Sequence, residues 1–467
     1  MNIRIVPWIL LAGFILPSSV EGEVARSGSE DRKSVEVTVY NDNLGLIREV
    51  RRVTLPQGEG ELRFMDVASS IQPSTVHVSS PGLAVLEQNY EYDLMNEDKL
   101  LDKYVGKQIK IVDWNRYHDR KDVVEATLLS NNQGQVYRIG RDVYLGHPGV
   151  KVLPELPESL IAKPTLTWLF RNEEKGPRDL EVSYLTEDIR WRADYVLVLD
   201  AADNTGALSG WVTLDNRSGA AYADAGLKLV AGTVHRVTRS AREREPMVKT
   251  MARTRDEGFQ EESLFEYHLY DLGRRTTIKD RQTKQIRLLE ASGLGVEKEL
   301  LVEASPGLFT RRYPDPAPRR PVSVFVQFRN DRENRLGVPL PAGIVRVYKE
   351  DRSGSQQFVG EDRIEHTPKG ETVRLKTGEA FDVVAQRTQT DYRQVTSGLH
   401  ETEWETVVRN HKEETVRVGI RAPLSGNWEI LSHSHPYRKT DAFTVRFDVE
   451  VPPDDRVTVR YRVRVGL

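Results

Sequence analysis

Along much of the chain apolar and polar residues alternate with a period of two, the spacing of a strand that buries one face and wets the other. Val445, Phe447, Val449 and Val451 fall on one side, with Arg446, Asp448 and Glu450 on the other. Val457, Val459, Tyr461, Val463 and Val465 alternate likewise with Thr458, Arg460, Arg462 and Arg464. Val416, Val418 and Ile420 against Arg417 and Arg421, and Val322, Val324, Val326 and Phe328 against Ser323 and Gln327, follow the same rule. Strands with one wet face belong to antiparallel sheets, so the expected fold is mainly β, with an antiparallel β-sandwich over roughly the last 150 residues.

The N-terminal part opens on Val35, Val37 and Val39 and is also strand-rich. Helices should be few and short; the pattern predicts one over Glu97 to Tyr104, with Asn96 as N-cap and Gly106 ending it. Short strands around Ile109 to Val112, Val123 to Leu129, Val136 to Ile139 and Val143 to Leu145, joined by tight turns, suit a small barrel over 107–153. The expected plan is therefore an N-terminal β-region over 34–155 and a longer β-domain over 165–467, with Pro154, Pro157 and Pro164 punctuating the connector between them. Two breaks interrupt the longer domain. Residues 236–263 interleave Arg236, Arg239, Arg242 and Arg244 with Glu243, Glu245, Asp256 and Glu257, a mixed-charge insertion. Residues 311–321 carry Pro314, Pro316, Pro318 and Pro321 and should form an extended connector.

The start of the chain changes the picture. Arg4 precedes an apolar run from Ile5 to Leu16, followed by small residues, with Val20 and Gly22 placed for cleavage. That is the pattern of a secretory signal peptide over 1–22, and the run is too short to span a bilayer. The expected location is the periplasm or the extracellular medium, with no transmembrane anchor after cleavage. The 467 residues hold 67 Lys and Arg against 70 Asp and Glu, a net charge of −3, which argues against a globally basic nucleic-acid binder. There is no cysteine, so disulfides, thiolate metal sites and a Cys nucleophile are excluded.

No segment fits the nucleophile elbow, the phosphate-cradling loop, the dinucleotide fingerprint or the zinc-protease helix, and no cofactor is expected. His433 and His435 flank Ser434, and on a strand such positions share a face, which makes them the metal candidates. The plainer reading, an exposed loop pair before Pro436, is the one we favour. Asp200, Asp203, Asn204 and Gly206 lack the closing Glu of a calcium loop and read as a hairpin turn. Trp191, Arg192, Tyr195 and Trp211 are the candidate ligand-binding residues, because aromatic rings beside arginines can hold sugars or peptides. On a strand Trp191, Ala193 and Tyr195 share one face, and core packing of that face is the competing reading.

Several segments resemble a known family. Ser183-Tyr184-Leu185-Thr186, Ile189-Arg190-Trp191-Arg192-Ala193-Asp194-Tyr195, Gly210-Trp211-Val212-Thr213-Leu214-Asp215-Asn216-Arg217-Ser218-Gly219 and Gly337-Val338-Pro339-Leu340-Pro341-Ala342-Gly343 occur in an order similar to the bacterial domain-of-unknown-function family 4139 (DUF4139), distantly akin to the mucoidy-inhibitor group. The resemblance runs over about residues 165–467, with Val35 to Val105 similar to a companion region. It implies a secreted, β-rich bacterial protein and carries no catalytic residue with it. The expectation is a non-catalytic binding or scaffolding protein of the bacterial cell envelope, with an envelope protein or a glycan as partner. The alternative is a secreted hydrolase acting on glycans or peptides, metal-assisted through His433 and His435.

Overall fold

The alternation is realised as hydrogen-bonded ladders in a computed structural model of the chain, which describes residues 24–466 apart from 92–95, 116–119, 133, 156–162, 233, 236–258, 265, 305–308, 314–318 and 425. The expected leader and most of the mixed-charge insertion thus lie outside the described residues. The fold is mainly β, and the described residues hold one α-helix, Glu97–Lys103. That helix starts where capping chemistry places it: the Asn96 side chain accepts from the Lys99 amide at 2.8 Å. Gly106, at φ 85°, ends the segment in the left-handed region that favours glycine.

The chain divides into two units. One ends at Glu36 and resumes over Leu46–Glu187 and Ser218–Tyr222; the other comprises Val37–Gly45, Asp188–Arg217 and the chain from Ala223 onward. In the first unit, Val24–Ser27, Gly58–Met65, Thr165–Asn172 and Leu83–Glu91 form a four-stranded sheet in that lateral order. Thr165–Asn172, placed by the sequence pattern at the start of the second domain, thus belongs with strands about a hundred residues before it. The four short strands expected within 107–153 are present at Gln108–Asn115, Arg120–Ser130, Val136–Ile139 and Asp142–Leu145. Val150–Val152 pairs antiparallel with Gln108–Asn115 to make a fifth. Ile109, Ile111, Leu128 and Tyr137 pack with Leu101 and Tyr104 of the helical segment into a small core. The described pairings run from edge to edge, and none of them closes the expected barrel.

The second unit contains a five-stranded sheet in the order Gln282–Gly295, Thr205–Asn216, Ile189–Leu199, Gly343–Glu350 and Gln356–Ile364. It also contains a nine-stranded sheet ordered Asn427–His433, Arg456–Gly466, Leu399–Asn410, Thr372–Thr396, Arg319–Arg329, Glu297–Glu303, Val416–Pro423, Thr444–Val451 and Tyr437–Asp441. Arg319–Pro321 already belongs to a strand, so the Pro-rich connector is shorter than expected. Gln260–Leu264, at the end of the expected insertion, is likewise a strand, paired with Tyr267–Ile278.

The nine-stranded sheet curls until its two halves face each other. Phe447 and Tyr461, on strands six places apart in the ladder, stack with centroids 5.0 Å apart. Val418, Ile420, Val445, Phe447 and Val449 from one half meet Trp404, Val459, Tyr461, Val463 and Val465 from the other in one buried cluster. This is a sandwich made from a single continuous sheet, and it departs from the expected antiparallel order at one place, where Glu297–Glu303 and Val416–Pro423 pair in parallel. On the wet face, Arg460, Arg462 and Arg464 pair across the ladder with Glu405, Glu403 and Glu401.

Candidate functional site

Burying Leu300, Val302, Val418, Ile420, Val445 and Phe447 inside the curled sheet sends their sequence neighbours outward, because side chains alternate along a strand. Glu299, Leu301, Gly419, Arg421, Arg446 and Asp448 thereby share the outer face of three adjacent strands. The ladder register then does something unusual. Arg421 lies directly opposite Arg446, and Arg446 directly opposite Arg438 on the next strand. Three guanidinium-bearing positions stand side by side, an arrangement in which like charges disfavour the pairing.

Around this row is a cleft of about 370 Å³ lined by Glu299, Leu301, Gln327, Arg374, Arg421, Arg438, Thr440, Asp441 and Arg446. Four arginines face two carboxylates, a formal charge of +2 for the lining. Glu299 is the organising group. Its side chain is 11% exposed, and it accepts from Arg374 Nε and Nη2 at 3.0 and 2.9 Å and from Arg446 Nη1. Burial alone would push its carboxyl up, but the hydrogen bonds from Arg446 and Arg374 outweigh this and hold it below the ordinary glutamate value. Arg374 is also fixed from beneath, its guanidinium carbon 3.4 Å from the centre of the Phe325 ring.

Arg446 also donates through Nε to Asp448 Oδ1 at 2.8 Å, and Arg438 Nε reaches Asp448 Oδ2 at 3.3 Å. Arg421 pairs with Glu303 at 3.3 Å from beside the cleft. Gly419 makes room for the central arginine: a Cβ there would come within 2.7 Å of Arg446 Nη2. The central guanidinium is thus held by carboxylates from beneath and beside it, while Arg421 and Arg438, both more than two-fifths exposed, flank it with guanidiniums that reach solvent. Forked, fixed N–H groups in local excess of positive charge suit a carboxylate or phosphate group.

The residues singled out from sequence are distributed differently. Trp191 and Tyr195 are buried, their polar atoms spent on the carbonyls of Val230 and Pro341. Their role is core packing, as the competing reading has it. Arg192 and Trp211 lie on the opposite, solvent-facing side of the same two strands. His433 Nδ1 contacts the carbonyl of His435, whose own Nδ1 is 2.9 Å from Ser434 Oγ; His433 is exposed and His435 half-buried. Among the described residues no group of three or more His, Asp or Glu is placed to hold a metal ion. Asp200 does close a hairpin turn, accepting from the amides of Asn204 and Thr205.

Sequence reasoning missed the arginine row, because which arginines become neighbours depends on register between strands far apart in the chain. One signal was available: Gly419 interrupts a Val/Ile-rich strand, and glycine in a strand interior marks a close approach. No family model matches the chain, and no curated protein matches it.

Proposed function

We propose that this chain is a non-catalytic binding protein of the bacterial cell envelope, and that it captures an oxyanion-bearing ligand in the arginine-lined cleft. The observation that carries the reading is the cross-strand row Arg421, Arg446 and Arg438. Like charges directly opposite one another disfavour strand pairing, and Glu303, Glu299 and Asp448 offset that repulsion only from beside and beneath the row. An anionic ligand relieves the repulsion and finds guanidinium forks already oriented. The export pattern at the N-terminus and the ordered segments similar to family 4139 support an envelope location, periplasmic or extracellular. The partner is then an envelope protein or glycan with carboxylate or phosphate groups.

The test is thermal unfolding and calorimetric titration with inorganic phosphate and with citrate. Ligand that binds the folded state raises its stability by mass action. Both anions should stabilise the wild-type protein, and the double variant R421Q/R438Q should lose most of that effect. Equal stabilisation of wild type and variant would refute the assignment.

A further inference from the structure

A second surface in the same unit carries a different ligand chemistry. The solvent face of the five-stranded sheet is organised in three cross-strand rows, read from the register of Ile189–Leu199, Thr205–Asn216 and Gln282–Gly295. Arg190, Asp215 and Thr283 form the first, Arg192, Thr213 and Gln285 the second, and Asp194, Trp211 and Arg287 the third. Successive rows are about 7 Å apart along the strands.

Two carboxylates anchor this face and each holds two arginines. Asp194 pairs with Arg192 at 3.2 Å and with Arg346 at 3.4 Å. Asp215 pairs with Arg217 at 3.4 Å and with Arg190 at 3.5 Å. The carboxylates are both 12% exposed, whereas the four arginines are 37–72% exposed. Arg346 is also paired with Glu361 at 3.4 Å, so four guanidiniums meet three carboxylates, a formal surplus of +1, and the guanidiniums are the part that meets solvent. Asp215, Arg217, Arg281 and Thr283 line a cleft of about 310 Å³ at one end.

Between the charges lie groups of another kind. Thr213 Oγ1 donates to Asp194 Oδ2 at 2.7 Å and receives Gln285 Nε2 at 3.3 Å, a fixed relay of donors and acceptors in the middle row. At the far end the half-buried Trp211 indole lies 5.6 Å from the Arg287 guanidinium carbon. Arg287 is itself shared with Glu290 at 2.7 Å.

We infer that this face is a binding platform for an acidic oligosaccharide. A uronic-acid sugar offers a carboxylate to the arginines, hydroxyls to the exposed Gln285 and Thr283 side chains, and ring C–H bonds to the indole. A simple anion would use only the first of these. The row geometry matches a ligand extended along the strands, with the basic cleft at one end and the tryptophan at the other. The site shares no residue with the arginine row on the nine-stranded sheet, so it stands or falls separately from that reading.

The test is calorimetric titration of the full chain with an oligogalacturonate, a neutral maltooligosaccharide of equal length, and a short polyphosphate. The acidic sugar should bind wild type at least about tenfold more tightly than either of the others. The surface double variant R192Q/R217Q and the variant W211A should each weaken it by about tenfold or more, while R421Q/R438Q leaves it unchanged. R192Q/R217Q removes only exposed guanidiniums, so its result stands if W211A fails to fold. Equal binding of polyphosphate would overturn the sugar assignment. Acidic-sugar binding that is absent, that is insensitive to R192Q/R217Q, or that is lost in R421Q/R438Q would overturn the platform.

Discussion

Replacing Glu299 by Gln removes one charge from the cleft while keeping the shape of the side chain. In the native site the carboxylate receives three hydrogen bonds from two guanidiniums. The amide oxygen of Gln can serve one of those arginines, but its NH₂ group faces the donors of the other. At least one charge-assisted hydrogen bond is lost, each worth about 1.5–3 kcal/mol. Removing one partner of a fully buried pair costs about 3–5 kcal/mol. Here the figure is smaller, because Arg446 keeps Asp448 and Arg374 keeps the Phe325 ring and access to water. We expect a destabilisation of about 1–3 kcal/mol at neutral pH, read from urea unfolding followed through Trp404 and its neighbours in the sandwich core, with an unchanged slope.

The pH dependence gives this prediction a sign. Glu299 titrates below its ordinary value of 4.5 in the folded protein, so between the two values the unfolded chain binds more protons. Its stabilising contribution is complete above the unfolded value and is lost as pH falls through the folded one. The stability difference between wild type and E299Q should stay constant from pH 7 to about pH 5 and shrink below that. Phosphate affinity should move the opposite way from stability, rising in E299Q as the lining goes from +2 to +3. A variant as stable as wild type at pH 7, or one whose deficit persists unchanged into acid, would refute the role given to Glu299.

Two further outcomes follow from local chemistry. N96A removes the side-chain acceptor for the Lys99 amide and should destabilise the first unit by about 1 kcal/mol, with faster hydrogen exchange at Lys99. His366 should titrate by NMR below the ordinary 6.5, because burial disfavours its imidazolium and His268 adds repulsion, against the opposing pull of Glu365 and Asp42. A midpoint at or above 6.5 would refute the dominance of burial at this ring.

Much of the fold could be read from the chain because alternation is a local property. A strand such as Val457 to Val465 must bury every second residue whichever strand lies beside it, and the cap at Asn96 involves neighbours three residues apart. Features that depend on partners were harder. Arg51 is fully buried, bonded to Glu49 and to the carbonyls of Ser27 and Met65. Those carbonyls belong to other strands, so nothing near Arg51 announces them. Thr165–Asn172 falls within the first unit for the same reason, since its pairing partners precede it by a long stretch of chain.

The candidate residues divide along this line. The period of two alone was enough to put Trp191 and Tyr195 on one face of their strand and Arg192 on the other, and it put Arg417, Arg421, Arg446 and Asp448 on wet faces. It could not say that Trp191 and Tyr195 face a core, that Trp211 comes beside Asp194, or that three arginines become neighbours. Those facts depend on which strands pair and in what register, and a slip of one residue would exchange every inward and outward side chain. By itself the sequence determined that this is a mainly β protein with alternating faces and where its one described helix begins; that Ile189–Leu199 and Gly343–Glu350 pair in parallel was not legible in it. Tertiary structure alone decided which charges meet, because charge neighbours on a sheet are set by cross-strand geometry between segments that the chain keeps far apart.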